Sequence, residues 1–106
     1  MGVKLSVEQG VITACIDGEI DHHSARGIRE RIDSAVEKTT PKTLNMDFGG
    51  VSFMDSSGIG LIMGRYKIMR ELGGRVNVIN ANSTIQRMIK LGGLGRLNIM
   101  GDTFAS

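Results

Sequence analysis

The sequence has no tryptophan, one tyrosine, three phenylalanines, one proline and one cysteine. With so few aromatic residues the core must be built from Ile, Leu, Val and Met, and most of the seven methionines read as adaptable core filler. A single cysteine allows no disulfide framework and no cysteine-based metal site. Cys15 stands in the apolar run Val11–Ile16 and reads as a buried structural thiol in a reducing compartment. Thirteen basic residues oppose eleven acidic ones, for a net charge of +2, and the basic residues form no block or stripe. A direct nucleic-acid interface is therefore not expected. The chain shows neither a basic start followed by an apolar segment nor a run of membrane-spanning length, so the expectation is a cytoplasmic protein without membrane contact. At 106 residues it is read as one domain, 1–106, too short for separate cofactor and substrate lobes.

What is present is ordered patterning. Val3–Glu8 alternates apolar and polar residues, Gln9-Gly10 makes a turn, and Val11–Ile16 is almost wholly apolar, which predicts a hairpin with a central second strand. After Asp21, a good N-cap, Ala25, Ile28, Ile32, Ala35 and Val36 mark one face of a helix over 24–37, with Pro41 beyond its end. Leu44, Met46 and Phe48 alternate as a strand that Gly49-Gly50 is expected to end. A second helix is expected over 57–72 before Gly73-Gly74, then a strand over 76–79, a helix over 84–91 and an edge strand at 97–99. Residues 101–106 read as a loose tail. The order β-β-α-β-α-β-α-β predicts an α/β domain with a mixed sheet of four to five strands and helices packed mainly on one side.

The run Ser52-Phe53-Met54-Asp55-Ser56-Ser57-Gly58-Ile59-Gly60 is the most informative. It sets two hydroxyls on a glycine-rich turn between a strand and a helix, where unpaired N–H groups and a partial positive charge tolerate an added phosphate. A serine there can cap, ligate phosphate, act as a nucleophile or be phosphorylated. A nucleophile elbow is excluded, because Met54 and Asp55 stand where glycine must precede the serine. His22 and His23 are adjacent and read as solvated surface; their spacing suits neither catalysis nor a metal. Gly58, Gly60 and Gly64 are one residue too widely spaced for a dinucleotide fingerprint, with no Walker lysine, so Gly60 and Gly64 read as allowing close approach of helix to sheet. No enzyme activity, cofactor or metal is expected. Ile59, Ile62, Met63, Tyr66 and Met69 form one apolar stripe that suffices for packing, leaving Leu61, Ile68 and Leu72 for deeper burial or for docking.

Phe53-Met54-Asp55-Ser56-Ser57-Gly58-Ile59-Gly60 with Gly64-Arg65-Tyr66-Lys67 resembles the signature of sporulation-type anti-sigma factor antagonists, which are single STAS domains. Gly18-Glu19-Ile20-Asp21-His22-His23-Ser24-Ala25 resembles their second diagnostic loop. The resemblance runs through Leu97; family members often continue into an acidic C-terminal helix, whereas this sequence stops after Phe104-Ala105-Ser106. It implies partner switching. The unphosphorylated protein would bind an anti-sigma factor that is also a serine kinase, releasing the sigma factor. Phosphorylation of Ser56 would end binding, and a serine phosphatase would restore it. Asp21, His22, Asp55, Ser57, Gly58 and Ile59 would be partner contacts on one surface, where Asp21→Ala or Ile59→Asp is expected to weaken the complex and leave unfolding nearly unchanged. The alternative is a small-ligand or nucleotide-binding STAS-like module in another signalling complex.

Overall fold

The computed structural model describes residues 2–100. Strands β1 (Gly2–Glu8) and β2 (Val11–Ile20) form an antiparallel hairpin. Its turn residues Gln9 and Gly10 both take positive φ, 51° and 81°, which matches the twist of the flanking strands. There follow α1 (His22–Thr39), β3 (Thr43–Met54), α2 (Ser56–Glu71), β4 (Arg75–Ile79) and α3 (Ser83–Leu91). The sheet order is β1-β2-β3-β4, with β2–β3 and β3–β4 parallel, so α1 and α2 are the crossovers.

One face of the sheet carries the core. Ile12, Ala14, Ile16 and Ile20 of β2 are buried there with Leu44, Met46 and Phe48 of β3 and Val76 and Val78 of β4. Against them α1 sets Ile28, Ile32 and Val36, α2 sets Leu61, Ile62 and Met69, and α3 sets Ile85 and Ile89. Each such side chain contributes about 1.5–3 kcal/mol on leaving water. The alternate residues Thr13, Cys15, Asp17, Asn45, Asp47 and Asn77 take the other face, where Asn77 donates to Asn45 at 3.0 Å. Cys15 is thus exposed, not buried; its thiol points toward Asp47 with S···O at 3.9 Å.

Gly49-Gly50 does not end β3. The strand runs on to Met54, and its pairing with β2 slips by one residue between Asp47 and Gly50 and again between Val51 and Phe53. Buried positions accordingly change spacing from two to three: Leu44, Met46, Phe48, Val51, Met54. These are β-bulges, and Gly50 permits the first, since a Cβ there would stand 2.8 Å from the Cβ of Asp17. The expected strand at 97–99 is also absent. Leu97 N–H donates to Leu94 and Ile99 N–H to Leu97, so these residues turn on themselves. One bond reaches the sheet, from Val78 N–H to the Ile99 carbonyl at 2.7 Å along the β4 edge. On the opposite edge, the Arg31 guanidinium donates to the Val3 carbonyl. The expected tail, 101–106, lies outside the described residues.

Candidate functional site

The site follows from sheet register. Ile20 and Met54 are partners at the ends of parallel β2 and β3, so Asp21 and Asp55 leave the sheet side by side. Asp55 N–H donates to the Ile20 carbonyl at 3.1 Å and ties the two exits together. Each aspartate caps the helix that follows. Asp21 accepts from the N–H groups of His23 and Ser24, both at 2.9 Å, and its own N–H donates to Ser24 Oγ at 3.0 Å, a reciprocal capping box. Asp55 accepts from Ser57 N–H at 2.8 Å. The Asp21 carboxyl is held below its ordinary pKa chiefly by the Ser24 N–H, with the His23 N–H, the Ser24 hydroxyl and the His23 charge adding to it against some desolvation.

The two serines differ in setting. Ser56 is the first residue of α2 and exposed; Ser57 is half-buried and faces α1. Gly58 is buried because α2 starts directly over the end of β3: a Cβ there would stand 2.2 Å from Met54 Sδ. Ile59 packs beside Gly92 at the end of α3. Phe53 and Leu91 are the most exposed large apolar side chains in this part of the chain, at 52% and 81%. Asp21, His22, Asp55, Ser57, Gly58 and Ile59 thus surround the two adjoining helix starts, with Ser56 at the exposed end of α2.

The apolar stripe of α2 is rotated from expectation. The buried line is Gly58, Leu61, Ile62, Arg65 and Met69, with Ile59, Met63 and Tyr66 partly buried on one flank and Ile68 on the other. The reason is that α1 covers the Leu61–Arg65 side. Arg65 is buried there, with Nε 2.8 Å from Asp33 Oδ1 of α1. Burial lowers its pKa, Asp33 opposes this, and the Arg29 charge adds to the lowering.

Gly60 and Gly64 do not serve close packing. A Cβ at either position would meet nothing within 4 Å. They line a groove of about 570 Å³ between α1 and α2, which Ser57, His22, His23 and Arg29 also border. The His22 and His23 rings stand edge to face with centroids 5.3 Å apart, both beside Ser57 in this groove. A larger hollow of about 880 Å³ lies on the other flank of α1, over β1, where Val3, Leu5 and Val7 run past the short side chains Gly27 and Ala35; neither Ser56 nor Ser57 lines it. Sequence reasoning missed Arg65 and the groove. Their signal is the i, i+3/i+4 spacing of His22, Arg26 and Arg29 on α1 and of Ser57, Gly60 and Gly64 on α2. Among the described residues no cluster of three His, Cys, Asp or Glu side chains is placed to hold a metal, and no helix is long and apolar enough to cross a membrane.

The sequence profile of the STAS domain matches residues 3–106. The chain belongs to the STAS domain family. An anti-sigma F factor antagonist of Paenibacillus polymyxa is 30% identical over 95 residues, 90% of this chain and 81% of that protein. The unphosphorylated form of the anti-sigma factor antagonist SpoIIAA superposes with TM-score 0.79 and 32% identity, covering 88% of this chain and 82% of that one. The phosphorylated form of the Bacillus cell fate determinant SpoIIAA gives TM-score 0.72 at 33% identity, covering 88% and 85%. Among the described residues, the four-stranded mixed sheet with three helices matches the SpoIIAA fold.

Proposed function

We propose that this STAS domain is an anti-sigma factor antagonist controlled by phosphorylation of Ser56. In its unphosphorylated form it binds an anti-sigma factor that is also a serine kinase and so frees a sigma factor; the phosphorylated form lets go, and a serine phosphatase resets it. The domain itself works by binding and not by catalysis. The observation that carries the reading is the exposure of Ser56 at the first position of α2, beside the Asp21-His22 helix start. The names of its relatives point the same way.

The electrostatics suit a switch without refolding. Phosphate adds about −1.5 to −2 charges at neutral pH. At an exposed helix start the dipole returns about 0.3–1 kcal/mol, and the neighbouring Asp55 carboxylate opposes it. Because Ser56 is exposed, no core residue has to move. The penalty falls on the complex, where a hydrated dianion would be trapped against Ile59, Phe53 and Leu91.

The test is to incubate wild type, Ser56→Ala and Ser57→Ala with the purified cognate anti-sigma factor kinase and ATP, then locate phosphate by peptide mass spectrometry. Phosphate is expected on Ser56 in wild type and Ser57→Ala only, with Ser56→Ala binding persistently and Ser56→Asp poorly. Phosphate on Ser57 of the wild type would reassign the switch. Failure of the unmodified protein to bind the kinase would remove the reading.

A further inference from the structure

The α1–α2 groove carries positive charge that the fold does not neutralise. Arg26, Arg29 and Arg65 line it with His22 and His23, and no carboxylate does. Arg65 is engaged by Asp33 at 2.8 Å. Arg26 meets Glu30 only at 3.5 Å, between side chains 76% and 60% exposed, a pairing that water largely screens. Arg29 is exposed and makes no ion pair among the described residues. It also lies near enough to Arg65 for its charge to act on that buried guanidinium.

The floor of the groove tells the same story by a different route. Gly60 and Gly64 sit inside a helix, where glycine is less favourable than alanine. Neither has a positive φ and neither has a neighbour that excludes a methyl group. The fold gains nothing from their lack of a side chain. What they provide is room, in a trough that starts at Ser57 and runs along α2.

We propose that this groove receives acidic side chains of the protein partner that docks at Ser56, with Arg29 as their principal counter-charge. The proposal rests on the partner-binding reading above and adds to it the partner's chemistry and a second contact area. Charge complementarity selects carboxylates, and continuity of the groove with Ser57 places them on the partner already seated on the α2 start. Arg29 suits this role because an unpaired guanidinium offers a planar fork to a carboxylate. Arg65, the buried cation of the lining, is already taken by Asp33, so a free anion would be held mainly by Arg26 and Arg29, which water also reaches.

The experiment measures binding of the purified cognate anti-sigma factor kinase to wild type, Arg29→Glu, Arg29→Lys and Gly64→Leu at low and high salt, with melting curves as folding controls. Arg29→Glu is expected to weaken binding about tenfold or more at low salt and to flatten the salt dependence. Arg29→Lys, which keeps the charge and loses the fork, should weaken binding less than Arg29→Glu, Gly64→Leu should lose affinity by filling the trough, and an acidic-to-Lys change on the partner should rescue Arg29→Glu. Wild-type affinity in both Arg29→Glu and Gly64→Leu would overturn the proposal while leaving the role of Ser56 intact. So would inorganic phosphate shifting the Arg29 side-chain NMR signal in the free protein while Arg29→Glu binds the kinase normally, which would assign the groove to a small anion. A wild-type protein that does not bind the kinase at all removes the underlying reading, and this inference with it.

Discussion

Asp21 and Asp55 occupy equivalent places: each follows one member of the parallel Ile20–Met54 pair, and each caps the helix beginning at the next residue. The two helix starts are therefore positioned by one sheet register, and a backbone bond from Asp55 N–H to the Ile20 carbonyl joins them.

Removing either cap has a structural cost. Asp21→Ala and Asp55→Ala should each lose about 0.5–2 kcal/mol in urea unfolding, with Asp21→Ala the larger because its carboxylate accepts from two backbone N–H groups and that of Asp55 from one. The expectation that Asp21→Ala leaves unfolding nearly unchanged does not fit this geometry. Asp21→Asn, which keeps an acceptor oxygen, is the better probe of the binding face.

Acid stability should report the Asp21 carboxylate. Its folded-state pKa lies below the ordinary 3.8. A carboxyl depressed on folding stabilises above its unfolded value, and that stabilisation is lost as pH falls through the folded value. The stability difference between wild type and Asp21→Asn should stay level above about pH 5 and then shift against the wild type on further acidification. A difference that stays level throughout the acid range would mean that the hydrogen bonds do not favour the ionised form.

The glycines of α2 should respond in opposite directions. Gly58→Ala forces a Cβ into the Met54 side chain and should cost about 1–3 kcal/mol, relieved in part by shortening Met54. Gly60→Ala meets nothing and should stabilise by about 0.5–1 kcal/mol. Thermal melts of the two variants decide the point, and equal effects would contradict it.

The buried ion pair predicts an asymmetry. Asp33→Ala strands the Arg65 charge and should cost about 3 kcal/mol, the low end of the range for a broken buried pair because Asp33 is about a third exposed. Replacing both partners together, Asp33→Ala with Arg65→Met, should cost less than Asp33→Ala alone. An additive double variant in chemical denaturation would rule out the coupling.

Much of this arrangement was legible because capping chemistry is local. Asp21, Asp55 and Asn82 each precede a helical pattern and each proves to be an N-cap. The convergence of the two motif loops was legible too, since parallel strands deliver their ends to one side. The bulges in β3 were not, because Gly49-Gly50 reads locally as a terminator and only the approach to Asp17 shows why glycine is needed. Cys15 was misplaced because a run apolar at all but one position carries little phase. Its phase is set by Thr13 and Asp17, which share its face. Arg65 and the groove depend on how α2 is rotated against α1, a long-range relation that neither helix encodes alone.

The edges of the sheet have a consequence for how this protein meets other chains. Exposed strand edges are templates onto which any extended peptide can add. Here Arg31 occupies an acceptor on the β1 edge, and Ile99 occupies a donor on the β4 edge. Each edge is interrupted at a specific point by the protein's own groups, which disfavours recruitment of a foreign strand. Under the proposed function, a domain that releases and recaptures its partner would thereby be shielded from a competing mode of attachment that adding a phosphate at a helix start would have no means to reverse.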